Sequence, residues 1–201
     1  MEIEKKRIFE WNRFSIDTTF DQIYPLEIQA LSKRHWTSLM VARRAAFFLA
    51  SERSKRILDI GSGVGKFCLA AAHYNPRAFF WGIEQRKSLV GHAETARNAL
   101  QLDNVSFIHG NFTQLDFRNF DHFYFYNSFY ENLDGTDKID DSIKYSGELF
   151  NYYYRYLIQQ LEEKPKGTRL ATFHGLDDEV PRGYILTGAE MNGLLKFWTR
   201  T

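Results

Sequence analysis

The chain has 201 residues, 44% hydrophobic and 25% charged, with a formal net charge of +1. At ~100–200 residues per domain this reads as one domain that can bury its own core, and the composition excludes disorder as the main state. The near-neutral balance argues against a general polyanion binder, and a single cysteine, Cys68, excludes an intrachain disulfide or a multi-cysteine zinc site.

Met1 to Arg7 lacks the apolar core of a signal peptide. The longest apolar runs, such as Ala45 to Ala50, are far below the ~20 residues of a membrane span. Both features read as a cytoplasmic protein with no membrane partner. Residues 1–36 are weakly periodic and are expected to form a lead or cap, with residues 37–201 as the domain proper. A helix is predicted over Thr37 to Ala50, with Leu39, Met40, Ala46, Phe47 and Leu49 as its apolar face and Arg43 and Arg44 turned away.

Strands and helices then alternate. Arg56 to Ile60 reads as a strand, Lys66 to Tyr74 as a helix, and Ala78 to Ile83 as a buried strand closed by Glu84. Arg86 to Gln101 is a second amphipathic helix, Val105 to His109 a third strand and Phe123 to Tyr126 a fourth. A long helix follows over Ile143 to Glu163, then a strand over Thr168 to His174 and a closing pair over Tyr184 to Thr187 and Leu194 to Thr199. This order predicts an α/β three-layer sandwich with a seven-stranded, mostly parallel sheet, the last strand antiparallel.

The chemistry-bearing stretch is Ile57-Leu58-Asp59-Ile60-Gly61-Ser62-Gly63-Val64-Gly65. It falls at a strand–turn–helix junction, where glycines let the backbone turn sharply and let a ligand lie against it. Glu84 ends the next strand, where a carboxylate can accept hydrogen bonds from both hydroxyls of a ribose. The loop is Gly-x-Gly-x-Gly, with Lys66 where a dinucleotide fingerprint has its third glycine, and it lacks phosphate-loop spacing.

That run resembles the first motif of class I S-adenosylmethionine (SAM)-dependent methyltransferases. The lead from Tyr24 to Thr37 resembles that of small bacterial methyltransferase-domain proteins. The resemblance covers about residues 37–201 and implies a Rossmann-like fold and SAM as cofactor. It implies Asp59, Gly61, Ser62, Gly63, Gly65 and Glu84 as cofactor contacts, Asn111 and Phe112 at the adenine, and Asn127 beside the methyl group.

Seven aromatics fall between Phe120 and Tyr130. Phe123 and Phe125 are expected to be core. Asn127-Ser128-Phe129-Tyr130 falls at the carboxyl end of the fourth strand, where ligands of open α/β sheets bind. It loosely resembles the Asn-Pro-Pro-aromatic loop of amino-methylating enzymes, without the prolines. A looser similarity runs to the non-SET histone lysine methyltransferases through Gly61 to Gly65, Gly82-Ile83-Glu84 and Asn127 to Phe129, which implies a shared cofactor site rather than a shared substrate.

In-line methyl transfer mainly requires alignment and exclusion of water. A substrate wall of Tyr126, Asn127, Phe129 and Tyr130 is expected, closed by Tyr24 and Trp36. His35 and Glu131 are the bases nearest by motif position if the acceptor must lose a proton. The expected acceptor is a small molecule or a protein. Nucleic acid is not the favoured reading, although Lys33 to Arg56 carries seven basic residues and one acid. The alternatives are a binding module for SAM or its demethylated product S-adenosylhomocysteine (SAH), and a protein lysine methyltransferase. The six histidines show no zinc spacing, so no metal is expected, and Cys68 is expected to be a buried apolar group.

Overall fold

The computed structural model describes residues 13–175 and 180–201; the reading of Met1 to Arg7 falls outside them. Within the described residues, the short helices α1 (Asp17–Asp21), α2 (Leu26–Gln29) and α3 (Ser32–His35) precede the sheet domain. Helix α4 (Leu39–Leu49) is followed by β1 (Arg56–Ile60), α5 (Lys66–Tyr74), β2 (Phe79–Glu84), α6 (Lys87–Leu100), β3 (Val105–His109) and β4 (His122–Phe125). Helix α7 (Gly147–Glu162), β5 (Arg169–Phe173), β6 (Tyr184–Glu190) and β7 (Leu195–Arg200) complete the order.

The strands form one seven-stranded sheet in the order β3-β2-β1-β4-β5-β7-β6. Strands β1 to β5 pair in parallel, and β7 inserts antiparallel between β5 and β6. The expected mostly parallel sheet with an antiparallel last strand is therefore present. Alternation along β1 sends Ile57 to one face and Leu58 and Ile60 to the other. Helices α4, α5 and α6 cover the first face. On the second, α7 packs through Tyr153, Leu157 and Leu161.

Three sequence expectations shift. In α4 the buried stripe is Leu39, Ala42, Ala45, Ala46 and Leu49, while Met40 and Phe47 are 63% and 76% exposed. Residues 40, 43, 44 and 47 share one stripe at helical spacing, so the two apolar residues lie on the arginine face rather than opposite it. Helix α7 begins at Gly147 rather than Ile143, because the Ser146 hydroxyl caps it by accepting the Leu149 N–H at 3.1 Å. Strand β4 runs one residue earlier than expected, with His122 paired opposite Ile57 and Tyr126 already beyond the ladder.

The short N-terminal helices are joined to the sheet layer by charge as well as packing. Phe14, Phe20, Tyr24 and Trp36 belong to the first-face core. Lys66, in the first turn of α5, is buried and its Nζ lies 2.6 Å from Oδ1 of both Asp17 and Asp21, over the rings of Phe20 and Trp36. Asp17 Oδ1 also accepts the Leu39 N–H at 2.9 Å. Removing one partner of a buried ion pair leaves the other charge desolvated and uncompensated. Lys66→Ala is expected to lose about 3 kcal/mol in urea unfolding; a loss below about 1 kcal/mol would show that the clamp contributes no more than an exposed pair.

Candidate active site

The glycine loop between β1 and α5 is fixed from several sides. The N–H groups of Gly61 and Ser62 both donate to Ile83 O at 3.0 Å, and the Gly65 N–H donates to Ser62 O at 2.8 Å. Gly61, Gly63 and Gly65 have φ of 79°, 54° and 80°, the left-handed region that an L side chain resists. Their surroundings differ. A Cβ on Gly61 would overlap Ser128, and one on Gly65 would overlap the Phe107 ring, whereas Gly63 faces open space. Gly61 and Gly65 are thus required by protein packing, and Gly63 presents bare backbone to a cavity. The Ser62 hydroxyl packs against Gly82, a position where a Cβ would clash with it, and has no protein hydrogen-bond partner.

The loop, the ends of β2 and β4, and the lead segment enclose a cavity of about 560 Å³, within the ~300–1,000 Å³ of small-molecule sites. Glu84 lies buried at its edge. Its Oε2 accepts the Gly63 N–H at 3.1 Å and its Oε1 the Arg86 N–H at 2.9 Å. A carboxylate has about four lone-pair sites, and with the Arg86 Nη1 also 3.4 Å from Oε1, acceptor capacity remains for a ribose hydroxyl. The bare Gly63 backbone, the cavity and this acid together fit the amino-acid and ribose ends of SAM.

In the sequence Arg86 shows only as the start of a helix. Its buried guanidinium reaches Glu84 at 3.4 Å, Glu131 at 2.5 Å, Asp140 at 3.1 Å and the Tyr145 hydroxyl at 2.6 Å. Burial alone would lower its pKa, but Glu131 and Glu84 outweigh that and raise it, so it stays charged. Glu131 also accepts the Ile139 N–H and the Tyr145 hydroxyl. It is a member of an ion-pair network, not the open base expected from its motif position.

Beyond β3, Phe112 lines the cavity and stacks on Phe129, ring centroids 5.0 Å apart. The Asn111 side chain is engaged elsewhere. Its Oδ1 accepts from the Thr113 N–H and hydroxyl, and its Nδ2 donates to Gln85 and Tyr153. At the β4 exit, Tyr126, Asn127, Phe129 and Tyr130 all line the cavity. Asn127 has φ 39°. Phe129 is buried among Phe112, Phe125 and Tyr153, and Tyr130 is half exposed. Ser128, passed over in the sequence, donates to Ile60 O at 2.5 Å and fixes this exit against the glycine loop.

In the lead segment, His35 and Trp36 line the cavity. Burial lowers the His35 pKa, an effect that nearby Glu131 only partly offsets, which favours the neutral ring. Tyr24 departs from its expected role as a substrate contact. It is buried, its hydroxyl donates to Val64 O at 2.9 Å, and Trp36 packs edge-on against it at 4.9 Å. It buttresses the glycine loop from behind. His174, at the end of β5, lines the same cavity and carried no sequence signal.

Residues 51–174 match the profile of a family described as a methyltransferase domain. The chain belongs to that family. Its fold is that of class I SAM-dependent methyltransferases, and SAM is the cofactor of the class. An RNA methyltransferase from Salinibacter ruber, solved with SAH, superposes with a TM-score of 0.56 at 21% identity, over 82% of this chain and 93% of that one. A precorrin-6y C5,15-methyltransferase from Geobacter metallireducens GS-15 gives a TM-score of 0.57 at 14% identity, over 84% and 91%. A tRNA (guanine-N(7)-)-methyltransferase from Synechococcus sp. (strain JA-3-3Ab) is 48% identical over 54 residues, which is 27% of this chain and 23% of the relative. A similar relative from Microcystis aeruginosa is 46% identical over 54 residues. The chain thus spans about a quarter of the length of these curated relatives.

Asp59 gives the methyltransferase site a proton of its own. It is buried at the cavity edge, and Cys68 Sγ donates to its Oδ2 at 3.6 Å. Burial pushes its pKa from 3.8 up to about 8, with the Glu84 charge adding to the rise and the Cys68 contact opposing it. A carboxyl whose folded pKa is raised contributes stability that is complete below the unfolded pKa, near 3.8, and is lost as pH rises through about 8. The difference in unfolding free energy between wild type and Asp59→Asn should therefore shift steadily against wild type from pH 4 to 8. Parallel stability–pH curves for the two ligand-free proteins would show that Asp59 ionises normally.

Proposed function

We propose that the chain is an active SAM-dependent methyltransferase whose acceptor meets the methyl group at the β4 exit. The observation that carries the reading is a single cavity holding both the bare Gly63 backbone with Glu84 and the wall of Tyr126, Asn127 and Tyr130. When bound, SAM supplies a methyl group on a positively charged sulfonium. The chain's own residues then have three tasks. Glu84 accepts the ribose hydroxyls, and Gly61, Gly63 and Gly65 shape the backbone cradle, with Ser62 contributing through its main chain. Phe112 covers the adenine, beside Gly110 of the same loop. Asn127, Tyr126 and Tyr130 align the acceptor and exclude water, which is the main requirement of an in-line displacement.

For the acceptor, tRNA is the first to test. The named relatives act on tRNA, and exposed Lys33, Arg43 and Arg44 add basic surface on the lead and α4. The support is partial, because Gly61 and Asn127 lie farther apart in sequence than the 54 matched residues. One match of that length reaches the cofactor loop or the acceptor wall, not both. A guanine N7 acceptor carries no proton on the attacking atom and needs no base. An N–H or O–H acceptor would call on His35, since Glu131 is held by Arg86.

The test pairs two variants with labelled SAM offered to tRNA, total protein and small-metabolite fractions. Glu84→Ala should weaken SAM binding by roughly tenfold or more, since it removes charge-assisted hydrogen bonds of ~1.5–3 kcal/mol each. Asn127→Ala should cut turnover while SAM affinity holds within about twofold. Label in no fraction, with SAM binding intact, would favour the binding-module reading. Turnover undiminished in Asn127→Ala would move the reaction away from the β4 exit.

A further inference from the structure

We propose that Arg86 is a positioning residue that fastens the strap between Leu133 and Ser146 onto the ribose acid Glu84, so that cofactor binding and closure of the strap are one event. The inference rests on the cofactor reading above and extends it to a segment with no assigned role.

The strap is a stretch without regular secondary structure between a 3₁₀ turn (Tyr130–Asn132) and α7. Irregular loops of this length in compact domains are usually functional lids or binding loops. Ile139, Ile143 and Tyr145 line the cavity, so the strap forms part of its wall. Its outer fastening to the lead, Arg34 to Asp137 at 2.7 Å, is an exposed pair of the kind worth little. Its inner fastening is Arg86, which is buried.

The geometry of that fastening ties the two halves together. One planar guanidinium directs Nη1 to Glu84, Nη2 to Glu131 and Tyr145, and Nε to Asp140. A rigid fork cannot tilt toward one partner without leaving another. The partners hold the strap backbone in turn. Glu131 accepts the Ile139 N–H at 3.1 Å, and Asp140 accepts the Ser142 N–H at 3.0 Å. The Tyr145 hydroxyl, 2.6 Å from Asp140 O, closes the network. Two of the acids therefore read the strap and the third reads the ribose, through one cation. A ligand that fixes Glu84 stabilises the strap, and by reciprocity a loosened strap weakens the ligand.

The probe is SAH, followed by calorimetry, dissociation rate and amide hydrogen exchange. In wild type, SAH should slow exchange at the Ile139 and Ser142 amides. Tyr145→Phe leaves the buried charges in place and has no contact with Glu84. It should nevertheless raise the SAH dissociation constant about fivefold, through faster release, and should speed exchange at both amides. Arg86→Lys should cost more than tenfold, because an ammonium cannot serve three directions in a plane. If wild type does not bind SAH, the cofactor reading fails and takes this inference with it. If wild type binds and Tyr145→Phe matches it in affinity, release rate and exchange, only the inference is overturned.

Discussion

Gly61 lies so close to Ser128 that no side chain fits between the glycine loop and the β4 exit. The same is true of Gly65 against Phe107 of β3 and of Gly82 in β2 against Ser62 of the loop. These three close approaches press the loop backbone against three strand segments at once, and parallel pairing fixes the spacing of those segments. The rest of the site follows from this constraint. Ser128 reaches Ile60 O because the loop leaves it room, and Glu84 reaches the Gly63 N–H because Gly61 and Ser62 hang from Ile83. Tyr24 supports the loop from the lead through Val64 O. The cavity is thus walled by bare main chain at the glycine loop and by side chains at Glu84, Phe112 and the β4 exit.

The two buried cations that border the cavity are held among acids. Lys66 sits between Asp17 and Asp21, and Arg86 among Glu84, Glu131 and Asp140. Both clusters have more acids than bases, and both border the cavity through their cation. Asp59, buried beside Cys68, is held largely protonated at neutral pH and adds little to that excess. Across the two clusters five acids face two cations, an excess compatible with a ligand that carries a sulfonium. The lysine that breaks the dinucleotide fingerprint at position 66 is the same residue that clamps the lead segment, so the departure from that pattern has a structural purpose.

Much of the architecture could be read from the sequence because its strands are apolar runs and its cofactor loop is local. The boundaries of β1, α5 and β3 agree with the periodic reading, and the loop with its strand-terminal acid occupies adjacent turns. What escaped depends on distant partners. Arg86 shows only as the start of a helix; its meaning lies in Asp140 and Tyr145, more than fifty residues away. Tyr24 and Asn111 were read from their positions in a motif, yet the fold gives each side chain a neighbour that motif position does not reveal. Met40 and Phe47 are apolar and suggest core, although their phase along α4 sets them beside Arg43 and Arg44. Residue type alone misleads where phase or partner decides.

The β4 exit shows how the sheet imposes geometry that local sequence would not choose. Strands β4 and β5 pair with Phe125 opposite Thr172. Two residues beyond that pair, Asn127 and His174 leave the ladder side by side, with φ of 39° and 51°. Left-handed backbone costs a non-glycine residue on the order of 1 kcal/mol and persists only where surroundings over-determine it. Here they do. Asn127 O accepts the Tyr130 N–H, the adjacent Ser128 is bonded to Ile60, and the His174 N–H donates to Leu194 O just before β7. The antiparallel β7, inserted next to β5, is therefore part of what holds this end of the cavity. Two adjacent strand ends kept in strained conformations at one cavity are placed before any substrate arrives, which is the preorganisation that an alignment-driven reaction requires.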